Sequence, residues 1–204
     1  MNIIFSQDNM EELTTIIIIT ICILAFFLHY ESKYSELTYV KSSVDDRSYL
    51  VRNLPDKKKA ADLLGNVRKN LDTIANYLKK NDNNKERVKR LEKNYRPNNL
   101  SEAIPKANYT SYSVNKGEKI VFCIRSKNDK ETLEDINTVM FVAIHELAHV
   151  ITKSVGHTSE FWNNMKFLLK KAIKLNVYKQ HDYKNNPISY CGVEITDSPL
   201  PYNK

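Results

Sequence analysis

Three of the chain's five histidines fall in one short stretch, VAIHELAHVITKSVGHTSEFW, which runs from residue 142 to residue 162. On a helix, His145 and His149 would project from one face about 6 Å apart, so they can direct two imidazoles at one metal ion. Glu146 would be offset from His145 by about 100° around the helix axis. That offset suits a carboxylate that does not bind the metal but holds a water molecule beside it.

A catalytic zinc ion needs three protein ligands and one open position. His157 is the best third ligand, because Gly156 permits a positive φ and lets the chain turn after the helix. One zinc ion per chain, held by His145, His149 and His157, would activate a water molecule for attack on a peptide bond, with Glu146 as general base. Three residues near the C-terminus are equal candidates to stabilise the oxyanion: Tyr183, Tyr190 and His181.

A core histidine is more often a hydrogen-bonded residue than a metal ligand, and this is the competing interpretation of the stretch. Burying two histidines and Glu146 on an apolar helix without a metal would, however, cost on the order of several kcal/mol. A purely structural zinc site would also have no use for Glu146. We therefore expect a catalytic metal site.

Periodicity and turn signals predict the elements that position these residues. A nearly uniformly apolar segment from Leu133 to about Thr152 predicts a buried central helix, and Thr132 with Asp135 resembles a capping box at its start. Thr158 or Ser159 would cap a further helix to about residue 176.

Before that helix, β-branched and aromatic residues around the turn signal Asn115-Lys116-Gly117 predict a hairpin of Tyr109–Val114 and Lys119–Arg125. Helical spacing predicts two earlier helices, from Pro55 to about Lys80 and from Lys85 to about Asn94.

The N-terminus predicts a membrane anchor. Residues 13–28, LTTIIIITICILAFFL, carry no charge, and a single transmembrane helix over residues 13–30 would follow a short tail of residues 1–12. An acidic flank and the lack of a small-residue cleavage site argue against a signal peptide. No lysine or arginine precedes the segment and four lie within residues 31–54, so we expect the catalytic domain on the cytosolic side.

The cysteines indicate the redox compartment of the protein, and its charge indicates which partners it could bind. Cys22, Cys123 and Cys191 are widely spaced and odd in number, so we expect reduced thiols, which agrees with the cytosolic side. The net charge is +7, and every basic residue follows residue 30. Such a surface can bind nucleic acid, anionic lipid or acidic proteins, although solvated helix surface also explains it.

These signals divide the chain after its anchor into three parts. We expect a polar tether over residues 31–54 and a basic helical region over residues 55–98. Residues 99–204 would form the metallopeptidase core and a C-terminal tail that wraps the surface.

The motif HELAH followed by GHTSEFW resembles the WLM and SprT-like metalloprotease families, over about residues 109–175. The resemblance implies a small zincin-like α+β domain, with a short antiparallel sheet packed on a buried active-site helix. It also implies zinc bound by His145, His149 and His157, with Glu146 as the catalytic acid and base. In zincins a strand before that helix binds extended substrate, which here would be Lys119–Arg125.

The sequence therefore predicts a membrane-anchored zinc metalloprotease that hydrolyses protein or peptide substrates. A second hypothesis is a DNA-associated protease that acts on DNA–protein crosslinks, as some relatives do, with Lys85–Lys93 as the basic contact. A third is a non-catalytic membrane adaptor that keeps zinc only for stability.

Overall fold

A computed structural model describes residues 7–34, 36–83, 85–105, 110–127 and 130–201. The chain divides into two compact units, Met1–Leu37 and Thr38–Lys204. The first unit contains helix α1 (Gln7–Tyr34). Within it, Met10–Tyr30 is long and apolar enough to cross a membrane. Its mean hydropathy is 2.3, and none of its residues is buried. This helix includes the predicted segment 13–30 and begins before it.

Within the described residues, the second unit combines a sheet, a small hairpin and four helices. Its strands are β1 (Leu37–Lys41, whose first residue closes the first unit), β2 (Ser48–Arg52), β3 (Leu100–Glu102), β4 (Ser111–Val114), β5 (Lys119–Phe122), β6 (Ile188–Tyr190) and β7 (Val193–Ile195). Its helices are α2 (Lys57–Asn81), α3 (Glu86–Asn94), α4 (Ile136–Ile151) and α5 (Ser159–Lys174). The mixed α and β content agrees with the predicted class.

The larger sheet has the strand order β1-β2-β3-β5-β4 and is mixed. Strand β3 runs parallel to both β2 and β5, whereas β4 and β5 are antiparallel. The expectation of an antiparallel sheet was therefore wrong for its centre. Helices α2 and α3 connect β2 to β3, and a long crossover of this kind is what parallel neighbours require.

Residues 31–54 also differ from the expected tether, because they contain strands β1 and β2. Tyr49 and Val51 of β2 are 2% and 0% exposed and belong to the same core as the helices. The alternation of buried and exposed residues spans only the five residues of β2, which is too short to stand out as a periodic signal. The core therefore begins before Pro55.

The predicted hairpin is confirmed over β4 and β5, with Val114 opposite Lys119. Its turn places Asn115, Lys116 and Gly117 at positive φ, and Gly117 at +115° adopts a conformation that glycine tolerates best. Tyr109, the predicted first residue, lies outside the described residues. Arg125 lies beyond the end of β5 and forms an isolated bridge with Leu133.

Helix α4 is the buried central helix that the sequence predicts, and it packs against α2, α3, α5, β4 and β5. Its N-cap is Asp135, whose carboxylate accepts hydrogen bonds from the backbone of Asn137 and Thr138. Thr132 lies outside the helix, where its hydroxyl contacts that of Ser126, so the capping-box interpretation was wrong. The next helix, α5, is capped by Thr158 as one of the two predicted alternatives.

The C-terminal segment, expected to be a tail that wraps the surface, contains the hairpin β6–β7. A disulfide joins Cys191, in its turn, to Cys123, just after β5. The expectation of reduced thiols was therefore wrong for Cys123 and Cys191, whereas Cys22 in α1 is a free cysteine within the described residues. The two partners are 68 residues apart in sequence, and packing of the hairpin beside β5 brings their Cα atoms to 6.3 Å.

Candidate metal centre and active site

The three histidines of the opening stretch converge. His145 and His149 project from α4, and His157 reaches the same point from the segment between α4 and α5. The Nε2 atom of His145 lies 3.2 Å from Nε2 of His149 and 3.0 Å from Nε2 of His157. One ring nitrogen from each residue lies within 4.8 Å of the others. The spacing of the sequence thus produces one cluster of three nitrogen donors.

Local structure explains this convergence. One helical turn aligns His145 with His149, and Gly156 has the expected positive φ of +81° just before His157. Phe161, fully buried in the first turn of α5, contacts all three imidazoles with ring-centroid distances of 4.4 to 4.8 Å. Phe161 is therefore a residue of the site that the histidine motif did not predict. The aromatic pair that opens α5 was the signal that could have found it.

The electrostatics of the cluster favour neutral imidazoles. Burial, together with the neighbouring histidines, lowers the pKa of His145 to about 3. Burial, His157 and Lys116 lower the pKa of His149 to about 4. A neutral imidazole keeps the lone pair that a metal ligand requires. Tetrahedral zinc with bonds of about 2.0–2.1 Å separates its ligand atoms by roughly 3.3 Å, so this donor set fits zinc.

Glu146 lies on the same helix and lines the same cleft as the histidines. Glu146 is only 5% exposed, and this burial raises the pKa of its carboxyl to about 7. A group with a pKa near neutrality can both accept and donate a proton. This pKa suits the role of general acid and base that the sequence predicts for Glu146.

The cleft has a volume of about 530 Å³ and two walls of different origin. One wall comes from β4 and the residue before it, Thr110 to Ser113. The other comes from the C-terminal hairpin, through Tyr190, Val193 and Ile195. Val193 and Val155 are exposed by 48% and 86%, so the cleft opens between apolar side chains.

The structure separates the three candidates for the oxyanion donor. Tyr190 lines the cleft, but its hydroxyl already contacts Ser111 Oγ at 3.0 Å and donates to the carbonyl of Cys123. Tyr183 is fully buried against Phe141, and neither it nor His181 lines the cleft. The Nε2 atom of His181 contacts the carbonyl of Asn186 instead. Tyr190 is therefore the one of the three candidates that lines the cleft.

The predicted substrate strand needs a correction. Strand β5 has β3 on one side and β4 on the other, so both of its edges are occupied. Strand β4 is the last strand of the sheet and lines the cleft. An added strand must pair with an edge, which makes β4 the available strand.

Several basic side chains of the stretch Lys85–Lys93 form ion pairs or hydrogen bonds within the protein, so fewer are available to bind DNA than its composition suggests. Lys85 pairs with Asp82, and Lys89 pairs with Glu86. Arg90 donates to the carbonyl of Ile151 and pairs with Glu160. Three of its charges are thus balanced within the described residues.

Similarity to known proteins assigns the chain to a family. The model of the WLM domain matches residues 44–199. The chain is 40% identical over 188 residues to "Uncharacterized protein R325" of Acanthamoeba polyphaga mimivirus, covering 90% of this chain and 94% of that protein. A shorter match, 37% identical over 71 residues, links it to "Uncharacterized protein 136R" of Invertebrate iridescent virus 6, over 34% of this chain and 39% of that protein.

Among solved structures, the crystal structure of Wss1 from Saccharomyces cerevisiae is similar with a TM-score of 0.47 and 22% identity. The match covers 62% of this chain and 88% of that one. The family match spans strands β2 to β7, the histidine cluster and both cleft walls, which confirms the WLM part of the resemblance seen in the motif. The chain belongs to the WLM domain family.

Proposed function

We propose that this chain is a zinc-dependent metalloprotease in which His145, His149 and His157 hold one zinc ion and Glu146 is the general base. The observation that carries the proposal is the convergence of three Nε2 atoms in a cleft that Glu146 also lines. Membership of the WLM family supports it. A histidine cluster that served only stability would not need a buried carboxylate beside an open cleft.

The chain's own residues account for the steps of hydrolysis. When bound, zinc supplies a Lewis acid that polarises the peptide carbonyl and lowers the pKa of a water molecule. Glu146 takes up the proton of the attacking water and returns it to the leaving amine. The edge of β4 pairs with an extended substrate backbone, and the two walls hold its side chains. The substrate class is therefore a protein or peptide in an extended conformation.

The variant Glu146→Gln tests the catalytic role, because the amide keeps the volume of the side chain but cannot accept a proton. We expect one zinc ion per chain in both proteins, and a loss of peptide cleavage of about 10²–10⁴-fold in the variant. The control Glu92→Gln changes an exposed glutamate of α3 and should leave cleavage unchanged. Full activity of Glu146→Gln would overturn the catalytic proposal, and zinc without cleavage in the wild type would favour the adaptor.

We also propose that Met10–Tyr30 anchors the protein as a single membrane span. The positive residues after the segment favour a cytosolic catalytic domain. The Cys123–Cys191 disulfide removes the support that reduced cysteines lent to that side, because disulfides persist mainly in oxidising compartments. Protease digestion of intact membrane vesicles measures the orientation: a cytosolic domain is degraded, whereas a lumenal domain is protected.

A DNA-associated protease is the second candidate, supported by the net charge of +7. With Lys85, Lys89 and Arg90 paired internally, the contact would need other basic residues as well. Binding to DNA whose affinity falls steeply between 50 and 200 mM salt would support this candidate. Binding that is absent or insensitive to salt would reject it.

A further inference from the structure

His157 is the member of the histidine cluster that no helix or strand carries. It lies in the segment 152–158 between α4 and α5, and it is exposed. Gly156 precedes it, and a Cβ added at Gly156 would meet nothing within 4 Å. The packing around Gly156 therefore does not fix the segment. Other contacts must hold it if His157 Nε2 is to remain 3.0 Å from His145 Nε2.

Lys116 binds backbone carbonyl groups of this segment. This residue lies in the turn between β4 and β5, and its ammonium donates to three consecutive backbone carbonyls. The distances from Nζ are 2.9 Å to Thr152, 2.6 Å to Lys153 and 3.3 Å to Ser154. An ammonium has three donors, so these contacts match its full capacity. They also put a positive charge at the C-terminal end of α4, where the helix dipole favours it.

Glu160, in the first turn of α5, binds backbone N–H groups of the same segment. Its carboxylate accepts from the backbone nitrogens of Lys153 at 3.1 Å and Ser154 at 3.0 Å, and from Ser154 Oγ at 2.9 Å. The backbone donors of Ser154 and Lys153 lower the pKa of Glu160 to about 2. Arg90 of α3 contacts Glu160 and donates at 2.7 Å to the carbonyl of Ile151.

We propose that Lys116 and Glu160 are positioning residues for the metal centre, because together they fix the segment that presents His157. A cation on the carbonyls and an anion on the amides bind the same two residues, Lys153 and Ser154. The segment thus cannot rotate without breaking charged hydrogen bonds, which are the stronger kind. Lys116 also ties the hairpin that lines the cleft to the segment of the third ligand. This inference rests on the proposed function, since it takes His157 as a zinc ligand.

The test measures zinc affinity of the full chain in detergent, by competition with a chromophoric chelator. Lys116→Met removes the ammonium and keeps most of the side-chain length, and Glu160→Gln removes the charge without changing shape. We expect each to weaken zinc binding by about 10–100-fold, the usual effect of removing a partner that orients a ligand. Lys116→Arg, which keeps the charge, should recover part of the affinity. Lys119→Met on the same hairpin is the matched control.

A second readout separates positioning from general stability. Cobalt replaces zinc in such sites, and its visible absorption reports the number and arrangement of nitrogen ligands. The variants should show the weaker spectrum of a site that has lost an ordered third histidine, while Lys119→Met matches the wild type. Unchanged zinc affinity and spectrum in Lys116→Met and Glu160→Gln would overturn this inference and leave the proposed function standing. A wild-type chain that binds no zinc would overturn both.

Discussion

Tyr190 donates its hydroxyl hydrogen bond to the carbonyl oxygen of Cys123, and the residue that follows it, Cys191, forms a disulfide with that same Cys123. The C-terminal hairpin is thus joined to the end of β5 by one covalent and one polar link. Because Tyr190 also lines the cleft, these two links help to hold one cleft wall, together with the contact between the Tyr190 hydroxyl and Ser111 Oγ.

Reduction of the disulfide should lower stability and loosen that wall. A crosslink between residues 68 apart removes conformational freedom from the unfolded chain, and its loss is expected to cost about 2–4 kcal/mol. Thermal unfolding of the wild type with and without a reductant measures this. The variant Cys191→Ser should melt at the temperature of the reduced wild type and should not respond to reductant. An identical melting temperature for oxidised and reduced wild type would contradict the prediction.

Removal of the third histidine should release the metal. In His157→Ala two imidazoles remain on α4, which is fewer than the three protein ligands of a catalytic zinc site. We expect less than stoichiometric zinc after dialysis, measured by atomic emission. His181→Ala serves as the control, since His181 contacts the carbonyl of Asn186 and does not line the cleft. Stoichiometric zinc in His157→Ala would point to another third ligand.

The stabilising effect of Glu160 should disappear in acid. Its pKa in the folded protein is about 2, below the ordinary value of 4.5. The ionised carboxylate therefore stabilises the fold above about pH 4.5, and this contribution is lost as the pH falls toward 2. The side chain is 38% exposed, so solvent screening keeps the effect modest.

Melting temperatures of the zinc-free wild type and Glu160→Gln should test this between pH 2.5 and pH 7. The wild type should melt higher at neutral pH, and the two curves should converge in acid. A difference that stays constant across this range would mean that ionisation of Glu160 does not contribute.

Two glycines at positive φ should respond differently to alanine. At Gly117 an added Cβ would lie 2.9 Å from the carbonyl oxygen of Asn94 and 2.9 Å from Val150 Cγ2, in addition to the strain at φ +115°. At Gly156 the strain remains, but the space around it is open. We expect Gly117→Ala to lower the free energy of unfolding by about 1–3 kcal/mol, and Gly156→Ala to lower it by less. Chemical denaturation measures both, and equal losses would show that the contacts at Gly117 relax without cost.

The residues of the candidate site could be predicted because they are local. His145, Glu146, His149 and His157 depend on one helical turn and one glycine, and both are visible in the sequence. The helices α4 and α5 were predictable for the same reason, since an apolar face repeats at helical spacing.

The sheet and the cleft walls could not be predicted because they depend on residues that are distant in the chain. Leu50 pairs with Ser101 across a crossover of two helices, and Cys123 bonds to Cys191 across three later elements. Strands of three to five residues, such as β3 and β2, are too short for periodicity to reveal them. The choice of β4 rather than β5 as the edge follows from strand order, which no local pattern contains.

This division between local and distant residues has a consequence for how the protein can change. The proposed metal donors lie within residues 145–157, whereas the cleft walls come from residues 110–113 and from the hairpin at 190–195. Substitutions in either wall can alter which substrate is accepted while the chemistry stays intact. The architecture therefore allows the preference for substrate to diverge between proteins that share the proposed metal centre.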